Sequence, residues 1–159
     1  MRLWLGLLAL VIVYFVWGRS PSNMPSEYLV YYDKTSTAHT SKRRLYCPEN
    51  RCLTIYLAPW CPQCKNSHAA ILDTVKQLEA RGIETTIVLG LDKHEALVTY
   101  AADFPFPVYF DQNKAFFKSL DMKGVPSYVV WLPGGKITTR NAGGAPSAEL
   151  LLKVLGLDN

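Results

Sequence analysis

The stretch Ala58-Pro-Trp-Cys-Pro-Gln-Cys-Lys65 stands at the junction between a strand pattern and a helix pattern. Leu53–Ala58 is a short apolar run with β-branched and aromatic residues, which is typical of a buried strand. Residues 62–81 carry apolar side chains at helical spacing. Cys61 therefore lies where a helix begins, and the free N–H groups and dipole there lower the pKa of a thiol. Cys64 is close enough to attack a mixed disulfide on Cys61, so the stretch predicts a redox-active pair with Cys61 as its exposed member.

Strand and helix patterns continue to alternate after this junction. They predict a strand over 85–89, a helix over 93–102, an extended segment over 105–110, a helix over 113–120, strands over 127–132 and 136–140, and a last helix from Pro146. Pro133-Gly134-Gly135 is a hairpin signal between the last two strands. The order predicts an α/β domain over residues 45–159.

Four pieces of this domain resemble the thioredoxin superfamily: Leu53–Ala58, Trp60–Cys64, Gly124–Pro126 and Gly143–Gly144. The resemblance implies a thioredoxin-like fold, a central mixed β-sheet flanked by helices, with Cys61 and Cys64 as catalytic residues and no cofactor or metal.

The same resemblance implies where a substrate binds. The Val125–Pro126 bond is expected to be cis and to lie against the cysteines. Trp60, Val125 and Pro126 would form the substrate groove, in which the Val125 backbone offers hydrogen bonds to an extended substrate segment.

Residues 105–132 are most similar to the membrane-anchored thioredoxins that act outside the cytoplasm, including those that serve cytochrome c maturation. This similarity implies a thiol–disulfide oxidoreductase whose substrates are protein thiols and disulfides. It also implies a membrane protein as electron donor or acceptor.

The chain departs from general thioredoxins at two places. Ile55 stands six residues before Cys61, where many thioredoxins bury an acidic residue that helps to deprotonate the second cysteine. An apolar side chain cannot act as a base, so water or another group takes the proton, or the protein is not tuned as a general reductant. The dipeptide Pro62-Gln63 resembles that of glutaredoxins and of the strongly oxidising periplasmic enzyme, and it does not fix the direction of electron flow.

Residues 1–18 predict attachment to a membrane. The run Leu3–Trp17 contains only apolar residues and is flanked by Arg2 and Arg19. As a helix it would be about 22 Å long, and snorkelling of the two arginines brings it close to spanning a bilayer. No Ala-x-Ala-like cleavage site follows the run. We therefore predict a single-pass signal anchor in the inner (cytoplasmic) membrane with the domain on the periplasmic, extracytoplasmic side; the alternative is secretion after signal cleavage.

Residues 19–44 predict a basic linker rich in Ser, Thr and Pro, with five basic and two acidic side chains. Tyr28–Tyr32 could form a short edge strand, and Lys42–Arg44 either touch anionic lipid or remain solvated. Residues 45–159 carry 11 basic and 11 acidic side chains. The excess charge of the chain therefore lies outside the domain and gives no indication of a nucleic-acid surface.

A second cysteine pair, Cys47 and Cys52, flanks Pro48 and Asn50, which suggest a turn. The pair is predicted to form a structural disulfide, which persists outside the cytoplasm. A relay to Cys61 is the other interpretation, but six strand residues put the two pairs about 20 Å apart.

Two rival functions remain open at the level of sequence. Cys61, Cys64 and His68 could bind copper, although a helix-surface position is the simpler interpretation of His68. A non-catalytic interaction module with the same fold is the other rival, but binding alone does not need two thiols.

Overall fold

The computed structural model describes residues 20–36 and 40–158. Its seven strands are β1 (Leu29–Tyr32), β2 (Thr40–Arg43), β3 (Cys52–Leu57), β4 (Glu84–Gly90), β5 (Val108–Asp111), β6 (Ser127–Trp131) and β7 (Ile137–Ala142). They form one sheet in the order β2-β1-β5-β4-β3-β6-β7. The pairs β3–β4 and β4–β5 are parallel and the other four are antiparallel. The predicted α/β fold with a central mixed sheet is confirmed.

The described helices are α1 (Pro62–Asn66), α2 (His68–Glu79), α3 (His94–Ala101), α4 (Ala115–Ser119) and α5 (Ala148–Leu155). The single helix predicted over 62–81 is thus divided at Ser67. The Ser67 hydroxyl is buried and accepts a hydrogen bond from the Ala145 amide at 2.7 Å. This contact is tertiary, so the helical spacing of the segment gave no sign of it.

The two faces of β3 belong to different apolar clusters, because side chains alternate along a strand. Ile55 and Leu57 lie in the larger cluster together with Cys61, Cys64 and apolar residues of α2 and α5. Tyr56 lies in the smaller cluster, which contains Phe116 of α4. The cysteine pair therefore belongs to the core on one face of the sheet.

The linker predicted over residues 19–44 differs from the structure, because much of this segment is part of the sheet. β1 and β2 extend the sheet beyond β5, and Leu29 is only 2% exposed. On the opposite edge, the Met24 amide donates to the Gly135 carbonyl at 2.7 Å, and the Ile137 amide donates to the Ser22 carbonyl at 2.8 Å. The folded unit therefore begins well before residue 45.

The anchor predicted over residues 1–18 lies outside the described residues. Among residues 20–36 and 40–158, no helix has the length and apolar character needed to cross a membrane.

Candidate active site

The strand β3 leads directly into the cysteine pair. Cys61 is the N-cap residue of α1, with extended backbone angles, and its Sγ accepts a hydrogen bond from the Cys64 amide at 3.0 Å. Pro62 occupies the first turn, where its missing N–H costs no intrahelical bond. This local geometry places the sulfur of Cys61 at the positive end of the helix, as the sequence predicted.

Cys61 and Cys64 are joined in a disulfide, with their Cα atoms 5.2 Å apart. Cys61 is only 3% exposed and Cys64 is 0% exposed. The expectation that Cys61 would be clearly exposed is therefore wrong for this oxidised state. Trp60 is 55% exposed beside it and marks the rim of the site.

The loop before β6 lies against the first cysteine. The Val125–Pro126 peptide bond is cis. The Val125 carbonyl oxygen is 3.4 Å from Cys61 Sγ. The Gly143 amide donates to the Pro126 carbonyl at 2.9 Å, which fixes the position of this loop beside β7. The structure thus brings Cys61, Cys64, Val125 and Pro126 together.

Trp60 is held by a residue that the sequence pattern did not single out. Its indole N–H donates to the Leu91 carbonyl at 3.0 Å. Leu91 follows β4 and has a positive φ of 63°. No local signal in the sequence connects these two residues, because they meet only through the pairing of β3 with β4.

Ile55 is fully buried, so the position six residues before Cys61 holds an apolar side chain and no acid. Its partner in register on β6 is Tyr128, and burial raises the pKa of Tyr128 to about 12. The buried carboxylate of Asp111 accepts from the Tyr56 hydroxyl at 2.9 Å and from the amides of Phe116 and Phe117. Since Tyr56 faces the smaller apolar cluster, this carboxylate does not replace the acid missing at position 55.

His68 is not a simple surface residue, which corrects the interpretation made from the sequence. Its Nδ1 atom is buried and has no hydrogen-bond partner among the described residues. Its ring packs edge-on against Phe104, with ring centroids 5.0 Å apart. The sequence had drawn attention to His68 only because it stands four residues after Cys64.

The copper alternative finds no support in the described part of the chain. There, no group of three or more His, Cys, Asp or Glu side chains is placed to hold a metal ion. The sulfurs of Cys61 and Cys64 are bonded to each other.

Cys47 and Cys52 form a second disulfide, with Cα atoms 5.7 Å apart. Both residues are nearly inaccessible, at 3% and 1% exposure, and they pack with Trp131. The indole N–H of Trp131 donates to the Thr54 hydroxyl at 3.0 Å. This disulfide lies at the start of β3, whereas the Cys61–Cys64 pair follows its end.

The chain is similar to known proteins in both sequence and fold. The family model described as Redoxin matches residues 33–154. A curated relative, the thioredoxin-like protein SkfH of Bacillus subtilis, is 26% identical over 101 residues, which cover 61% of this chain and 72% of SkfH.

Two solved structures cover most of the chain. The structure of MTB DsbF has a TM-score of 0.66 at 17% identity. The match covers 89% of this chain and 100% of the DsbF chain. The thioredoxin domain of a thiol–disulfide oxidoreductase from Bacteroides vulgatus has a TM-score of 0.65 at 16% identity. The match covers 86% of this chain and 98% of the Bacteroides vulgatus chain. At these identities the likeness shows the fold, and the thioredoxin-like fold implied by the sequence motifs is confirmed.

Proposed function

The chain belongs to the redoxin family and is a thiol–disulfide oxidoreductase, and from this premise we propose that it exchanges disulfides with proteins outside the cytoplasm while tethered to the membrane. The observation that carries the proposal is the oxidised Cys61–Cys64 pair at the start of α1, with the Val125 carbonyl 3.4 Å from Cys61 Sγ.

The proposed chemistry uses the two cysteines in a fixed order. In one direction, the Cys61 thiolate attacks a substrate disulfide, so that a mixed disulfide forms and one substrate sulfur leaves as a thiolate. Cys64 then loses its proton and attacks Cys61 Sγ, which releases the second substrate sulfur and closes the Cys61–Cys64 disulfide. In the other direction, a substrate thiolate attacks Cys61 Sγ and the same steps run backwards. Cys61 receives the first role because it is the N-cap, whereas Cys64 is fully buried.

The substrate groove is proposed to lie between Trp60 and the Val125–Pro126 loop. Trp60 offers an exposed aromatic face beside Cys61, and such faces are favoured in contacts between proteins. The Val125 carbonyl is a backbone acceptor next to the reacting sulfur. An extended substrate segment could donate an N–H to this carbonyl and thereby align its own sulfur with Cys61.

The extracytoplasmic location rests on two features. The apolar run Leu3–Trp17 has the composition of a signal anchor. The buried Cys47–Cys52 disulfide is of a kind that forms and persists in oxidising compartments. We therefore place the domain on the periplasmic side of the inner membrane, where a membrane protein would exchange electrons with the Cys61–Cys64 pair.

Covalent trapping tests the proposal in the full chain. With Cys64→Ser, the mixed disulfide on Cys61 cannot be resolved internally, so partner complexes should accumulate in membrane fractions on non-reducing gels. The matched control is Cys61→Ser, which should trap far less. Equal trapping by both variants would contradict the assigned order, and recovery of the chain in the soluble fraction would contradict the membrane tether.

A further inference from the structure

Cys64 lacks a carboxylate that could take its proton. The thiol of Cys64 must be deprotonated before it can resolve a mixed disulfide, yet the residue is 0% exposed. Ile55 fills the place of the family's buried acid. Asp111 is buried, but its carboxylate already accepts hydrogen bonds from the Tyr56 hydroxyl and from two backbone amides. Tyr56 faces the smaller apolar cluster, which does not contain the cysteines. A protein group that accepts this proton must therefore be found elsewhere on the cysteine side of the sheet.

His68 lies one helical turn after Cys64 and carries a buried nitrogen that is unused in this state. Cys64 lies in α1 and His68 is the first residue of α2; residues four apart along a helical backbone lie on the same face, so the two residues share a face across the division at Ser67. The division at Ser67 is slight, because the backbone angles of Ser67 stay in the right-handed helical region, its amide donates to the Gln63 carbonyl at 3.0 Å and its carbonyl accepts from the Ile71 amide at 2.8 Å. Phe104, the ring partner of His68, belongs to the same apolar cluster as both cysteines.

We propose that Nδ1 of His68 accepts the proton of the Cys64 thiol when Cys64 resolves a mixed disulfide on Cys61. The inference rests on the function proposed above. In the oxidised protein, Cys64 Sγ is bonded to Cys61 and carries no hydrogen, which explains why Nδ1 has no partner in this state. Reduction gives Cys64 an S–H group, which is the donor that Nδ1 lacks.

The transfer balances in protons and electrons. The proton moves from Cys64 Sγ to Nδ1, directly or through one water molecule, while the other ring nitrogen keeps its own hydrogen. The electron pair left on Cys64 Sγ forms the bond to Cys61 Sγ. The bond between Cys61 and the substrate sulfur breaks, and the substrate leaves as a thiolate.

Other ionisable groups around His68 are poor proton acceptors for Cys64. Tyr100 and Tyr128 remain protonated near neutral pH, because burial raises the pKa of each to about 12. The Lys34 ammonium already donates to the Phe104 carbonyl at 2.8 Å. Asp103 and Lys65 are exposed to solvent.

A two-phase reaction tests the role of His68 in the reduced full chain. A symmetrical nitroaromatic disulfide releases one coloured thiolate when Cys61 attacks it and a second when Cys64 displaces the group from Cys61. In His68→Gln and His68→Asn, the second phase should slow on the order of tenfold or more near neutral pH. Its rate should then rise only towards the pH of about 8.5 at which an unassisted thiol ionises. The first phase should not change.

His94→Gln is the matched control, because this exposed histidine lies outside the site and both phases should stay as in the unsubstituted chain. An unchanged second phase in a folded His68 variant would overturn the proposal, and so would an equal slowing of both phases. If the unsubstituted chain shows no first phase, the proposed function fails instead.

Nitrogen NMR of the unsubstituted chain gives a second measurement that does not depend on the variants folding. Reduction of the Cys61–Cys64 disulfide should move the Nδ1 resonance of His68, because the nitrogen then meets the S–H of Cys64. A resonance that is the same in the oxidised and reduced proteins would overturn the proposal.

Discussion

At the scale of single residues, the position of Cys61 determines how its thiol should behave after reduction. The Cys64 amide points at Cys61 Sγ from 3.0 Å, and a helix starts at this sulfur. Both features favour the thiolate, so we expect the Cys61 thiol to titrate below the value of about 8.5 for a free cysteine and to be alkylated before Cys64. Alkylation rates of each thiol as a function of pH, resolved by mass spectrometry, measure this. A Cys61 midpoint at or above the free value would contradict the prediction.

Trp60 should contribute to recognition of protein substrates and not to the reactivity of the thiol. It is 55% exposed beside Cys61, and its ring is held by the hydrogen bond to the Leu91 carbonyl. In Trp60→Ala, kcat/KM for a protein disulfide should fall about tenfold, which corresponds to ~1.4 kcal/mol, while reaction with a small aromatic disulfide is retained. Trp60→Phe should keep most of the activity. Tyr46→Ala, which removes another exposed aromatic ring, should have no effect.

At the scale of secondary-structure elements, β3 and β4 meet in a close contact at Gly90. A Cβ atom at this position would lie 1.9 Å from the Tyr56 hydroxyl oxygen, and that hydroxyl is fixed by its bond to Asp111. Gly90→Ala should therefore destabilise the fold by about 1–3 kcal/mol, the usual cost of overpacking a core. Urea unfolding measures the change.

Gly124→Ala is the control for this substitution. A Cβ at Gly124 would meet no heavy atom within 4 Å, and both changes affect the unfolded chain in the same way. Equal stability of the two variants would show that the contact between Tyr56 and Gly90 relaxes without cost.

The sequence predicted those elements whose signal is local. The apolar run of β3, the helix start at Cys61 and the hairpin between β6 and β7 were all visible in residue patterns. β2 was missed because Thr40–Arg43 is polar, and it becomes a strand only by pairing with β1. The division of the first helix at Ser67 was missed for a similar reason, since it depends on the distant amide of Ala145.

At the scale of the whole molecule, much of the segment that was predicted as a linker, residues 19–44, belongs to the folded domain. The Arg140 guanidinium donates to the Pro21 carbonyl, and the Lys34 ammonium donates to the carbonyls of Ala102 and Phe104. Within the site, the sequence predicted the two cysteines and the Val125–Pro126 loop, because both belong to family motifs. The contacts of Trp60 and His68 were not, because each depends on residues brought near by the fold.

The Cys47–Cys52 disulfide should stabilise the whole domain without taking part in turnover. It is buried against Trp131 at the start of β3, whereas the active pair follows the end of that strand. Cys47→Ala combined with Cys52→Ala should lower the free energy of unfolding by roughly 2 kcal/mol, because opening a short loop frees the unfolded chain. Reduction of insulin by the double variant should remain close to that of the unsubstituted protein, measured well below the melting temperature of both. If the double variant stays folded but loses turnover, the second pair passes electrons to Cys61 and Cys64, and the structural role is wrong.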